Sequence, residues 1–302
     1  MNSYCQAVSV LPEPLRNRAL EVDRSNMART EEVRLRVGRS PSLVLPEGEL
    51  VIPGTEEVEP EDLKHLVEIA SRWSFHAVLE QMRRGYLTIE GGHRLGLCGT
   101  VVMEGGEIHS LRDISAVNLR VARQLPGVAR QTVGQLIRDG QLQNTLILGP
   151  PGAGKTTFLR DLIRCISAGD GVSPLRVAVA DERGEVAAMW DGRPQMELGK
   201  QTDVFDGCPK AMAITLLLRG MGPQVIAADE ITAPEDIVAM EQAVGCGVAL
   251  LATAHGANEE DLRRRPLYRL MLEKGIFQKL VTIRVENGQR KIRVLEMEEV
   301  TC

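Results

Sequence analysis

A chain of 302 residues with 43% apolar side chains has the material for one large or two ordinary domains and a sizeable core. Its formal charge of −5 excludes polyanion binding by bulk charge, and 3% aromatic residues leave few rings for stacking bases, which counts against a nucleic-acid partner. The six cysteines (Cys5, Cys98, Cys165, Cys208, Cys246 and Cys302) form no CxxC pair, so no zinc site is expected and a reducing compartment is.

Residues 1–6 lack the basic region and apolar stretch of a signal peptide, which fits a cytoplasmic protein. No apolar run approaches the roughly 18 residues of a spanning helix, so membrane association is expected to run through a partner or a surface. Residues 11–30 read as a polar, arginine-rich helix. From Glu32 to Val37 the chain alternates strictly, with Val33, Leu35 and Val37 on one face of a strand. Leu43 to Leu45 and Leu50 to Ile52 can pair as a hairpin across Pro46 to Gly48. Glu61 to Arg72 is helical in pattern, with Leu63, Leu66, Val67 and Ala70 on one stripe, and Phe75 to Met82 reads as a second helix. Tyr86 to Glu90, His93 to Met103 and Glu107 to His109 read as strands separated by paired glycines. Helices beside strands in this order predict a small α+β domain over residues 1–125. Leu125-Pro126-Gly127 marks its boundary, and Val128 to Asp139 reads as a helix stopped by Gly140.

The second half, residues 126–302, alternates β and α, which implies a mostly parallel sheet covered on both faces. A short buried strand, Thr145 to Leu148, leads into Gly149, Pro150, Pro151, Gly152, Ala153, Gly154, Lys155, Thr156 and Thr157, and a helical pattern follows. This is GxxxxGK[ST] in the strand–turn–helix context the motif requires, so an α/β P-loop NTPase fold is expected. The glycines let backbone N–H groups converge on one anion, and the helix start adds its dipole. Lys155 is then the point charge for the β- and γ-phosphates of ATP, and the Thr156 hydroxyl a ligand for Mg²⁺.

Three later strands end in chemistry. Residues 175–180 run into Asp181, Glu182 and Arg183, whose acids could order metal-bound water or form structural salt bridges. Residues 224–228 deliver Asp229 and Glu230 to the edge where open α/β sheets bind ligands. Asp229 is expected in the Mg²⁺ shell, and Glu230 is expected to position and deprotonate the attacking water. Residues 248–253 run into Ala254 and His255, an imidazole able to sense a γ-phosphate or simply a satisfied hydrogen-bonding residue. Helices are expected over 209–218 and 234–244, and 279–285 and 290–295 alternate around Asn287-Gly288 as a β-hairpin. Candidates for a transition-state arginine are Arg112, Arg120, Arg123, Arg183, Arg193 and Arg219.

The catalytic half resembles the traffic ATPases of type II and type IV secretion systems, through Arg219, Pro223, the apolar strand and Glu230, through Thr253 to Asn258, and through Asp181 to Glu185. That resemblance implies a hexameric, AAA-like or RecA-like motor and makes Arg219 a transition-state candidate. The P-loop itself, Gly-Pro-Pro-Gly-Ala-Gly, departs from the Gly-x-Thr-Gly-Ser-Gly of most of them. Over nearly its full length the chain is similar to the stage III sporulation protein AA family of endospore-forming bacteria. The stretches that carry this are 32–38, 92–99, 112–115, 118–123, 149–157, 181–183 and 202–210. The second resemblance implies a cytoplasmic ATPase on the mother-cell side, a homo-oligomer acting on a membrane-embedded, secretion-like channel complex to the forespore. A nucleic-acid-stimulated ATPase such as a helicase loader, and a nucleotide-gated scaffold, are the competing readings.

Overall fold

The structure is a computed structural model that describes residues 2–72, 81, 85–286 and 289–298. It divides into two compact units, Met1–Arg123 with Ala188–Gln195, and Gln124–Ala187 with Met196–Cys302.

The first unit opens with three short helices, α1 (Ser3–Ala7), α2 (Glu13–Leu20) and α3 (Arg24–Arg29). The single helix expected over 11–30 is broken in two, because Asp23 adopts an extended backbone and its carboxylate caps α3 through the Asn26 N–H. Strands β1 (Glu32–Arg36), β2 (Ser42–Leu45) and β3 (Gly48–Val51) form a meander, followed by α4 (Pro60–Ala70). The helix expected over Phe75 to Met82 lies outside the described residues apart from Gln81. Strands β4 (Tyr86–Thr88), β5 (Arg94–Glu104) and β6 (Glu107–Arg120) complete an antiparallel sheet of order β3-β2-β1-β6-β5-β4. Leu63, Leu66, Val33, Leu35, Leu95 and Leu119 are buried in one cluster with Tyr4 and Leu11. That cluster is the alternation read from the sequence, closed by one amphipathic helix.

In the second unit the helix expected from Val128 to Asp139 is cut short. Only α5 (Arg130–Val133) and one 3₁₀ turn form, and β7 (Ile137–Arg138) then pairs with β8 (Gln141–Leu142). Asp139 and Gly140 both take positive φ, 52° and 76°, so the Asp-Gly pair makes a hairpin turn instead of a helix stop.

The main sheet contains β9 (Thr145–Gly149) and β10 (Val177–Asp181), with α6 (Lys155–Ala168) between them. A small hairpin, β11 (Met189–Trp190) and β12 (Arg193–Pro194), belongs to the first unit. The chain goes on through β13 (Thr202–Asp206), α7 (Lys210–Gly220), β14 (Val225–Ala228), α8 (Pro234–Gly245) and β15 (Ala249–His255). It ends with α9 (Glu259–Arg264), α10 (Pro266–Glu273), β16 (Lys279–Glu286) and β17 (Gln289–Glu296). The sheet order is β13-β10-β14-β15-β9-β16-β17, parallel except for β17. All residues of β9, β10 and β14 are buried, as parallel strands covered on both faces must be. The turn at Asn287-Gly288 lies outside the described residues, but its flanking strands pair from Lys279↔Glu296 to Glu286↔Gln289. Among the described residues no helix is long and apolar enough to cross a membrane.

Candidate active site

The loop after β9 is shaped by what its neighbours exclude. A Cβ on Gly149 would lie 2.7 Å from the Ile283 carbonyl oxygen of β16, so only hydrogen fits. Gly152 and Gly154 take φ of 74° and 97°, which glycine adopts without steric cost. The Ala153 N–H bonds back to the Pro150 carbonyl, and α6 starts at Lys155 with its first N–H groups facing the loop end. Lys155 is 6% exposed, and its ammonium donates to the Pro150 carbonyl at 3.1 Å and to His255 Nδ1 at 2.9 Å. Burial pushes the Lys155 pKa down, while Asp229 and Glu230 nearby push it back up.

Thr156, one residue on, donates its hydroxyl proton to Asp229 Oδ2 at 2.8 Å. The other Asp229 oxygen accepts from Thr253 Oγ1 at 2.6 Å, and that same hydroxyl accepts the Glu230 N–H at 2.8 Å. Strands β9, β14 and β15 thus bring the P-loop hydroxyl and the strand-end carboxylate together across 73 residues. Among the described residues no three His, Cys, Asp or Glu side chains converge as metal ligands. A divalent ion at Thr156 and Asp229 therefore has to draw the rest of its shell from phosphate and water, which is how Mg²⁺ is ordinarily held beside nucleotides.

Glu230 has φ of 53°, a left-handed conformation costing a non-glycine residue about 1–2 kcal/mol. Its carboxylate meets Arg183 Nη1 at 2.8 Å and His255 Nε2 at 3.3 Å. An ammonium can only donate, so with Lys155 on Nδ1 the His255 proton sits on Nε2, facing Glu230. The His255 backbone N–H is held by the Tyr268 hydroxyl at 3.0 Å. Lys155, His255, Glu230 and Arg183 are consequently one line of polar contacts at the C-terminal edge of the sheet.

A cleft lined by Asp181, Glu182, Arg183, Glu185, Lys210, Asp229 and Glu230 opens on this edge. Asp181, the last residue of β10, and Glu182 just after it differ. Asp181 is 1% exposed and accepts the N–H groups of Glu185, Val186 and Ala187, so it ties down its own turn. Burial raises the Asp181 pKa, and those N–H bonds oppose the shift. Glu182 stays accessible and meets Lys210 Nζ at 3.3 Å; Lys210 is buried and also lies 3.5 Å from Asp236.

Of the candidate arginines, Arg183 lines this cleft. Arg219 lies on the last turn of α7, whose first turn carries Lys210, so about 13 Å of helix separates it from the cleft. Arg112, Arg120, Arg123 and Arg193 belong to the first unit, where Arg120 pairs with Glu32 and Arg123 donates to the Met27 carbonyl. Sequence reasoning missed Tyr268, Lys210 as a cleft residue, and Arg290, whose Nε donates to the Ala153 carbonyl of the P-loop at 3.0 Å. Lys210 opens a helix that the sequence announces, but the strand before it, β13, carries no such pattern, so the cleft position was not marked. For Tyr268 and Arg290 no local pattern marks the contact.

Comparison with known proteins adds to this geometry. The family model described as "Sporulation stage III, protein AA" matches residues 3–299. The chain is 37% identical over 287 residues to the stage III sporulation protein AA of Bacillus subtilis (strain 168), covering 94% of this chain and 92% of that protein. Among solved structures, the pilus retraction motor PilT with bound ADP superposes with a TM-score of 0.59 at 16% identity, over 88% of this chain and 79% of that one. The Legionella pneumophila ATPase DotB superposes with a TM-score of 0.57 at 17% identity, over 90% and 78%. At such identities these two likenesses establish the fold: an α/β P-loop NTPase fold with a smaller N-terminal α+β part.

Proposed function

This chain belongs to the sporulation stage III protein AA family, and on that premise we propose that it is an ATP-hydrolysing motor powering a secretion-like channel, or its assembly, between mother cell and forespore. The observation that carries the reading is the 2.8 Å bond between Thr156 and Asp229, because these are the two protein groups a magnesium–triphosphate complex needs side by side. Magnesium, when bound, neutralises charge on the phosphates. The loop N–H groups and Lys155 bind and orient the β- and γ-phosphates. Glu230 orients the attacking water and takes its proton, held in its strained conformation by Thr253. His255 touches both Lys155 and Glu230, which suits it to report the γ-phosphate to the base. Glu182, set by Lys210, supplies a second carboxylate for ordering water. Arg219 stands far from this cleft along α7, so as a transition-state arginine it would serve a neighbouring copy in a homo-oligomeric, hexameric ring. The ring would sit in the cytoplasm on the mother-cell side, docked on a membrane complex.

Phosphate release tests the assignment. Lys155→Ala should lose turnover by at least about a hundredfold, and Glu230→Gln should bind ATP yet hydrolyse it about 10²–10⁴-fold more slowly. Normal turnover by either variant removes that residue from the site. One observation favours a nucleotide-gated scaffold as the second reading: the Glu230 carboxylate is engaged by both Arg183 and His255. A single burst of phosphate with no sustained release would select it.

A further inference from the structure

The C-terminal hairpin runs alongside the P-loop, and its role there has so far been only to shape the loop. Strand β16 pairs with β9 as far as Thr282↔Leu148 and continues to Glu286, four residues beyond the last pair and past the sheet edge where ligands bind. Strand β17 returns from Gln289, opposite Glu286, and its second residue is Arg290. The Arg290 guanidinium lies against the loop. Its Nε donates to the Ala153 carbonyl at 3.0 Å, and a Cβ on Gly154 would fall 3.0 Å from Nε and 3.5 Å from Cζ. Glycine at 154 therefore serves twice, for the left-handed φ of 97° and for the room the guanidinium takes. The loop contact uses the Nε–H alone. The two Nη groups carry the other four donors, in the fork that suits phosphate oxygens.

The sheet order says which end of a nucleotide this serves. Asp229, Glu230, Thr253 and His255 come from β14 and β15, on one flank of β9; Arg290 comes from β17, on the other. A triphosphate lying over the loop with its terminal phosphate toward the hydrolytic groups has its nucleoside end toward Arg290. We propose that Arg290 is a further nucleotide-binding residue, contacting the α- and β-phosphates of a nucleoside di- or triphosphate. It thus acts on ADP and ATP alike and takes no part in hydrolysis. The inference rests on the nucleotide-binding reading above and deepens it.

The test is equilibrium binding of fluorescently labelled ADP to the full chain and to Arg290→Ala, Arg290→Gln, Arg290→Lys and Lys155→Ala, each checked by thermal melting. Arg290→Ala and Arg290→Gln should both bind about tenfold more weakly, the worth of one charge-assisted hydrogen bond. Arg290→Lys should recover part of the loss, and the advantage of the parent should narrow as salt rises. With ATP the loss should fall on KM and not on kcat. Parent-like ADP binding by Arg290→Ala would overturn the proposal, as would parent-like binding by Arg290→Gln alone, since Gln can still hold the Ala153 carbonyl and the residue would then be a loop clamp. A kcat loss matching the KM change would also overturn it, placing Arg290 on the hydrolytic side. If Lys155→Ala loses binding while the Arg290 variants keep it, this inference falls and the site stands; if the parent binds no ADP, both fall.

Discussion

Lys155, His255, Glu230 and Arg183 are joined by single side-chain contacts at strand ends. Lys155 stood out in the sequence because a P-loop needs glycine, lysine and threonine at fixed spacing. The mutual contacts of the four did not, since which strand lies beside β9 is decided by the whole sheet. Another buried side chain carries a pH prediction. His93 is 1% exposed, its Nδ1 accepts the Ala122 N–H at 3.0 Å, and its Nε2 finds no partner among the described residues. Burial lowers its pKa to about 4, with Arg123 adding to the shift. The unfolded chain then binds the proton more tightly than the folded one, so stability is full above pH ~6.5 and is lost as pH falls towards 4. Between pH 7.5 and pH 5 urea unfolding should show about 2 kcal/mol of loss from this group. His93→Gln, which keeps an acceptor for Ala122, should lose correspondingly less over the same interval. An equal loss in parent and variant would clear His93 of the effect.

At the scale of elements, β9, β10 and β14 were readable because strands buried on both faces are continuous apolar runs. The stretch 128–139 misled because Val133, Leu136 and Ile137 recur at helical spacing, while the Asp139-Gly140 turn that overrides them is a two-residue signal. The α9–α10 pair and the edge strand β13 also went unread; β13 exposes most of its residues and has no clean alternation. The β9–β16 pairing is the element on which the loop depends, and it tolerates no side chain at Gly149, where the obstacle is backbone. Gly149→Ala should cost about 1–3 kcal/mol by urea unfolding and weaken ADP binding in step, because the strands must part at the base of the loop. An unchanged urea midpoint with normal binding would show that the pairing gives way freely.

For the whole molecule, the family and the fold are established by likeness over nearly all of the chain, while the motor assignment rests on the polar cluster at one sheet edge. Residues 188–195, which sequence order assigns to the second unit, pack with the first. There Trp190 lies under the Arg72 guanidinium, 4.0 Å from its ring centre, a contact no local pattern announces. What the whole account needs is a triphosphate held through a metal at Thr156 and Asp229. The direct measurement is equilibrium dialysis of labelled ATP against the parent and Asp229→Asn, with magnesium and with a chelator. The account predicts one saturable site per parent chain, tighter with magnesium, and an Asp229→Asn protein that has lost most of the magnesium-dependent gain. No binding by the parent, or a magnesium effect untouched by Asp229→Asn, would contradict it.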